Sequence, residues 1–386
     1  MRDVYIAGVG QAPVSKAATR SVRELGADVV KQALEDAGLE DAGALYVGNM
    51  LSGMLSNQQQ LGALIAHTAG LPGIEAATVE AACASGAAAA RWGTMAIASG
   101  MHDAVIVCGV ERMTHVERER VTRSLATASD WHQEGGKGET FVSLNAHLMR
   151  MYMERHGVDS EAFAPFALNA HRNSRGNPHA LFNKKDVSAE DYARAKMIQE
   201  PVRLFDASPI CDGAAAVVMC SREVLDRCRP QGPRVKVIAS AVGTDSLALN
   251  DRRDPLVLDA AVASSRRAYE QAGIRPADVD LFELHDAYTV MSVLSLEAAG
   301  FADEGRGHEL GPEIQVDGDI PVTTMGGLKG RGHPVGATGV YQLVESHLQL
   351  AERGGHNQVP GARIAMAQNF GGTAATVVTH LLERAA

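Results

Sequence analysis

The stretch VEAACASGAAAARWG, Val79 to Gly93, sets a cysteine between a strand-like run and an alanine-rich helical one. A thiol at a helix N-terminus is expected to shift toward the thiolate. The small residues Ala84, Ser85, Gly86 and Ala87 leave room for a carbonyl group to approach Cys83. Three more residues stand at comparable strand ends: His285 after VDLFEL, His333 within GRGHPVGATG, and Asn369 after RIAMAQ, followed by Phe370-Gly371-Gly372. A thiol with imidazoles from separate loops suits covalent acyl transfer. One imidazole takes the thiol proton, while the other imidazole, the Asn amide and backbone N–H groups polarise a carbonyl oxygen. Taken alone, a cysteine among alanines reads as core, and so do Cys108 in AVIVCGVE and Cys220 in VVMCS; Cys211 before Asp212-Gly213 is assigned to structure.

The elements that must carry these residues repeat along the chain. DVYIAGVGQAPV opens it as a buried strand, and RVKVIASAVGTD does the same at mid-chain. Each leads to an amphipathic helix ending in Ala-Gly-aliphatic, with Gly as the terminator. In the first, Val22, Leu25, Val29, Ala33 and Ala37 share a face. Further strands follow in both halves, ALYVGNM and VDLFELHDA, then DAVIVCGVE and RIAMAQNFGG. Strands alternating with helices predict parallel α/β sheets covered on both faces. The chain divides into halves at 1–230 and 231–386, with Arg227 to Arg234 as the linker. A polar insert from about 115 to 205, rich in Arg, His and Met, precedes the closing strand GAAAVVMCS; its Met149, Met151 and Met153 read as helix packing.

Composition narrows the function. The 386 residues are 46% hydrophobic and 21% charged, which describes an ordinary globular chain of two domains or a duplicated one. A net charge of −10 argues against a nucleic-acid surface. Five cysteines without a CxxC pair predict reduced thiols in a cytoplasmic setting and no structural zinc. No apolar run is long enough for a membrane span. The opening MRDVYIAGVGQAP reads as a strand rather than a signal peptide, and its GVGQ does not make a dinucleotide fingerprint.

The order EAACASG, SPICDGAAAVV, HDA, GGLKGRGHPVGATG, NFGGT resembles the thiolase superfamily over nearly the whole chain. HDA makes it similar to the archaeal-type and sterol-carrier-type members, often acetyl-CoA acetyltransferases. The resemblance implies a five-layered αβαβα sandwich from two duplicated halves, acting on coenzyme A thioesters with no bound cofactor or metal. It implies a homodimer or dimer of dimers, and for archaeal-type members a small zinc-ribbon/OB-fold partner. It implies Cys83 as the nucleophile that becomes acylated and His333 as its activator, which also helps bind the thioester oxygen. His285, with a water, would complete that oxyanion site, and the N–H groups of Cys83 and Gly371 would form a second oxyanion hole. The insert would hold the coenzyme A nucleotide, with Arg172, Arg175, Lys184 and Lys185 as candidate phosphate partners.

One departure stands out. The family's second catalytic cysteine is absent from both usual places, which here hold Asn369 and Ala287. His285 is then the expected base for the α-carbon, with Tyr288 as a further proton donor. The same Cys-His-His set with NFGG also resembles decarboxylating β-ketoacyl synthases, which need no such base. Other relatives cleave by retro-aldol chemistry or serve as scaffolds.

Overall fold

The structure, a computed structural model, describes residues 2–228 and 231–385. Residues 229 and 230, on which the expected linker and half boundary fall, lie outside the described residues. The first half contributes β1 (Val4–Gln11), α1 (Val22–Ala37), β2 (Ala44–Gly48), α2 (Leu61–Ala69), β3 (Glu75–Val79), α3 (Ser85–Ser99) and β4 (Ala104–Glu111). Then come α4 (Arg118–Leu125), α5 (Phe141–His156) and α6 (Ala164–Ser174) of the insert, and β5 (Gly213–Cys220). The second half contributes β6 (Arg234–Thr244), α7 (Asp259–Ala272), β7 (Leu281–Glu283), α8 (Thr289–Ala298), α9 (Thr338–Leu350), β8 (Ile364–Gly371) and β9 (Thr376–Ala385).

The strands hydrogen-bond in the order β3-β2-β4-β5-β1-β6-β9-β8-β7. The halves meet where β1 pairs with β6 over three residue pairs, Val4 with Val237 through Ile6 with Val235. The expected all-parallel sheets are corrected: β5 and β9 run antiparallel to their neighbours. β9 returns from β8 as a hairpin, and β5 returns from the insert, so neither needs a helical crossover. The second half also lacks a full counterpart of β3, which is reduced to a single bridge between Phe282 and Val322.

Three apolar cores separate the layers. One lies between α1, α2 and the first-half strands, one around α3 and α9 between the halves, and one between the second-half strands, α7, α8 and the insert. This is a five-layered αβαβα arrangement. The face expected for α1 is the buried one, and Ser21 and Glu24 close its N-terminus as a capping box while Gly38 ends it at φ 70°. Met149 on α5 is core, with Met151 and Met153 packed beside it. Cys108 and Cys220 are fully buried, as expected.

The central helices approach closely because glycine lines their crossing. A Cβ on Gly339 of α9 would lie 2.4 Å from the Ala87 nitrogen and 2.7 Å from Asn369 Oδ1. Gly339→Ala is therefore expected to destabilise the fold by about 1–3 kcal/mol through overpacking, read as a lower denaturation midpoint, and to disturb Asn369 beside the site.

Candidate active site

Cys83 sits on a sharp turn between β3 and α3. Ala82 adopts φ 51°, a left-handed conformation that a non-glycine residue enters only at a cost. Ser85 braces the turn: its hydroxyl accepts from the Ala81 N–H at 3.0 Å and donates to the Ala82 carbonyl at 2.6 Å. Cys83 is buried in an apolar cluster with Met113, Val121, Val335, Leu51 and Leu55, against which Val116, Leu125 and Ile210 pack.

His333 enters from a Gly-rich turn ahead of α9. Gly332, at φ 116°, allows the turn, and the His333 N–H donates to Cys211 Sγ at 3.1 Å. Cys211 is thus structural, as expected, but its structural task is to hold the His333 loop. His333 Nδ1 lies 2.7 Å from Thr338 Oγ1, and that hydroxyl is 3.4 Å from the Pro334 carbonyl. Thr338 can therefore accept from Nδ1–H while donating to Pro334, which leaves Nε2 unprotonated.

His285 follows β7. Its ring stacks on Phe370 at 5.1 Å and meets His333 edge-on at 5.2 Å. Its Nδ1 accepts from the Phe370 backbone N–H at 3.2 Å and faces Asn369 Nδ2 at 3.0 Å. A backbone N–H can only donate, so the lone pair of Nδ1 is taken and the proton of the neutral ring sits on Nε2. Next to it, Asp286 accepts from Lys329 Nζ at 2.9 Å and from the Leu328 N–H at 2.7 Å, tying the His285 loop to the turn that carries His333. Asn369 does not end its strand: β8 runs on to Gly371, whose Cβ, were there one, would fall 2.5 Å from the Ala81 carbonyl.

Cys83, His285, His333, Tyr288 and Gly372 line one cavity of about 580 Å³. Gly372 lines the cavity beside Cys83. The cavity is also lined by Val116, Val121, Leu125 and Phe141, and by Phe182, Phe205, Lys185 and Lys16. Lys185 and Lys16 stand over the Phe182 ring at 5.6 and 5.1 Å, and Lys185 over Phe205 at 4.5 Å.

The structure corrects three expectations. Burial, reinforced by the carboxylate of Glu111, pushes the Cys83 thiol up to about 12. The helix N-terminus does not overcome this, so the resting sulfur is a thiol rather than a thiolate. Of the four candidate cations, only Lys185 lines the cavity: Arg172 donates to Gln315 at 2.5 Å, Arg175 pairs with Asp186 at 3.2 Å, and Lys184 is exposed away from it. Lys16 and Arg118 line it instead, though nothing near them in sequence marks them. Finally, His285 has no free lone pair, so it can donate a hydrogen bond but cannot serve as a base.

Both histidines are neutral. Burial, with Lys329 and Arg331 nearby, lowers His285 to about 3. Burial first, then His285 and Arg331, place His333 well below its ordinary value. Arg331 is itself fully buried, its Nε 2.8 Å from Glu345 Oε1 as an ion contact without hydrogen-bond alignment, and its guanidinium lies over Tyr341 at 4.7 Å. A depressed histidine keeps its neutral form as pH falls through 6.5. The rate of Cys83 acylation, followed as kcat/KM in rapid-mixing assays, is therefore expected to stay flat from pH 7 to about 5. A fall centred near 6.5 would contradict these environments.

Among the described residues no group of three or more His, Cys, Asp or Glu side chains could hold a metal ion. No helix among them is long and apolar enough to cross a membrane.

Comparison with known proteins agrees with this architecture. Residues 4–223 match the family described as Thiolase, N-terminal domain, and residues 241–384 match Thiolase C-terminal domain-like. An acetyl-CoA acetyltransferase of Methanothermobacter thermautotrophicus is 43% identical, covering 100% of both chains. One from Methanocaldococcus jannaschii is 36% identical over 99% of each. Sterol carrier protein 2 of Oryctolagus cuniculus is 30% identical over 97% of this chain and 71% of its own length. A solved structure described as Ltp2-ChsH2(DUF35) aldolase shares the fold, with a TM-score of 0.87 at 22% identity over 99% of this chain and 98% of that one. The chain belongs to the thiolase family.

Proposed function

We propose that this chain catalyses reversible carbon–carbon bond formation between coenzyme A thioesters, through an acyl group held on Cys83. It is an acyltransferase. The observation that carries the reading is the convergence of Cys83, His285, His333 and Gly372 on one cavity. Cys83 attacks the thioester carbonyl while His333 Nε2 takes the thiol proton, so the buried sulfur need never rest as a bare anion. His285 Nε2–H donates to the thioester oxygen of the incoming acyl-CoA. The N–H groups of Cys83 and Gly371, with Gly372 adjoining, serve the oxygen of the Cys83 thioester, and Asn369 holds His285 in place. The apolar part of the cavity lining, which includes Val116, Val121, Leu125 and Phe141, takes the acyl group.

Lys185, joined by Lys16 and Arg118 in place of Arg172, Arg175 and Lys184, is the partner of the coenzyme A phosphates. Lys185→Ala is expected to raise the KM for the coenzyme A substrate about tenfold with little change in kcat, a loss of binding shared by ground and transition states, read from initial rates.

The halves 1–230, with its insert at about 115–205, and 231–386 form the duplicated unit, working in the cytoplasm. A second copy pairs at β3, the end strand of the sheet, where Glu75 and Thr78 are exposed and Trp92 and Met95 of α3 are half-exposed. The aldolase relative is named together with a DUF35 component, which supports a small partner of the zinc-ribbon/OB-fold kind for this chain too.

The test is intact-mass spectrometry after mixing the chain with a panel of acyl-CoAs. A single acyl adduct on Cys83, discharged by free coenzyme A, is the expected result. Turnover without any adduct would overturn the reading.

A further inference from the structure

We infer that His333 is the only base of the whole cycle, removing both the thiol proton of Cys83 and the α-proton of the second acyl-CoA. The inference rests on the acyl-enzyme reading above and goes beyond it. Elimination within the cavity leads to it. Among the described residues that line the cavity there is no aspartate or glutamate, and Cys83 is the single cysteine. Once acylated, that cysteine has no lone pair to offer. Lys329 Nζ is engaged by the Asp286 carboxylate at 2.9 Å and by the Asp286 carbonyl at 3.1 Å. Burial raises Tyr288, which keeps its phenolic proton and is no base at neutral pH. Asn369 is an amide, and the base lone pair of His285 is occupied by the Phe370 N–H. Two imidazole nitrogens remain, one on His171 and one on His333. His171 packs against Phe182 and Phe205, at 5.4 and 5.3 Å, the two rings over which Lys185 stands. The His333 ring instead meets His285, and Val335, two residues on, shares an apolar cluster with Cys83. A carbanion that attacks the Cys83 thioester must form there.

The protons balance with one base. In the first half-reaction the Cys83 S–H proton moves to His333 Nε2 as sulfur bonds to the acyl carbon. The C–S bond to coenzyme A then breaks, and the departing thiolate takes that proton, leaving as free thiol. His333 is neutral again before the second acyl-CoA arrives. It now takes the α-proton, while His285 Nε2–H binds the enolate oxygen. The α-carbon bonds to the thioester carbon, the Cys83 C–S bond breaks, and the Cys83 sulfur recovers the proton from His333. No second thiol is required, which accounts for Asn369 and Ala287 at places where a thiol could stand.

The test separates proton removal from acyl transfer. Full-length Cys83→Ala cannot form the adduct, so deuterium entering the methyl group of acetyl-CoA in D2O reports the base alone. Exchange is expected to persist in this variant, to fall by about a hundredfold or more when His333→Gln is added, and to fall by no more than about tenfold with His285→Gln, which keeps a donor. Thr338→Val, which removes the partner of His333 Nδ1, provides a second variant of similar shape and is expected to lower exchange about tenfold. Exchange that survives His333→Gln, that disappears with His171→Gln, or that is absent from Cys83→Ala while wild type exchanges, overturns the proposal. None of these results bears on whether wild type forms an adduct, so failure of the acyl-enzyme reading would be seen separately.

Discussion

Cys83→Ala is expected to lower acyl transfer by about 10⁴-fold or more while the fold survives. In the proposed reaction Cys83 forms the covalent bond that splits the chemistry in two, and no other thiol among the described residues lines the cavity. The replacement leaves a small void beside Met113, Val121 and Val335, in a turn braced mainly by Ser85. The cost to stability should therefore be about 1 kcal/mol. Steady-state rates with acetoacetyl-CoA and coenzyme A, alongside intact mass and a melting curve, check all three statements. Normal turnover in this variant would remove the basis for every role assigned here.

His333→Ala is expected to be nearly as damaging, for a different reason. The Cys83 thiol, held up to about 12 by burial and Glu111, supplies almost no thiolate at neutral pH. A partner that accepts its proton during attack is worth about 10²–10⁴ in rate. The variant should lose acylation by about 10³-fold, and Cys83 should react more slowly with iodoacetamide at pH 7. Alkylation by an uncharged reagent isolates this step from substrate binding. In wild type the alkylation rate should keep rising from pH 7 to 10 with no plateau, because the thiol titrates above that range. An unchanged rate in His333→Ala would remove His333 from its place beside the sulfur.

Glu111 joins the two halves at this point. Its carboxylate accepts from Met50 and Leu51 backbone N–H groups at 2.9 and 3.2 Å, from Asn49 Nδ2 at 2.9 Å, and from the Gly336 N–H at 3.2 Å. It anchors the loop after β2 to the turn that follows His333. Its charge adds to burial, the larger cause, in holding the thiol protonated.

The sequence by itself pointed to the repeat and to the residues proposed as reactive. Apolar periodicity, Ala-Gly helix stops and strand-end placement are local properties, and they located α1, α7 and the turns bearing Cys83, His285 and His333. The family resemblance rested on those same short segments. What only the tertiary structure decided were properties of groups distant in the chain. Lys16 and Arg118 reach the cavity from separate segments, while Arg172 and Arg175, within the insert, turn to other partners. The direction of β5 and β9 depends on which neighbour each strand returns to, which no alternation of residues encodes. The thiol's reluctance to ionise follows from burial and a carboxylate 28 positions away in sequence. The exclusion of His285 as a base follows from one N–H on Phe370, 85 positions on. Protonation is governed by the field and hydrogen bonds at a point in space, and a chain's order alone does not specify which groups meet there.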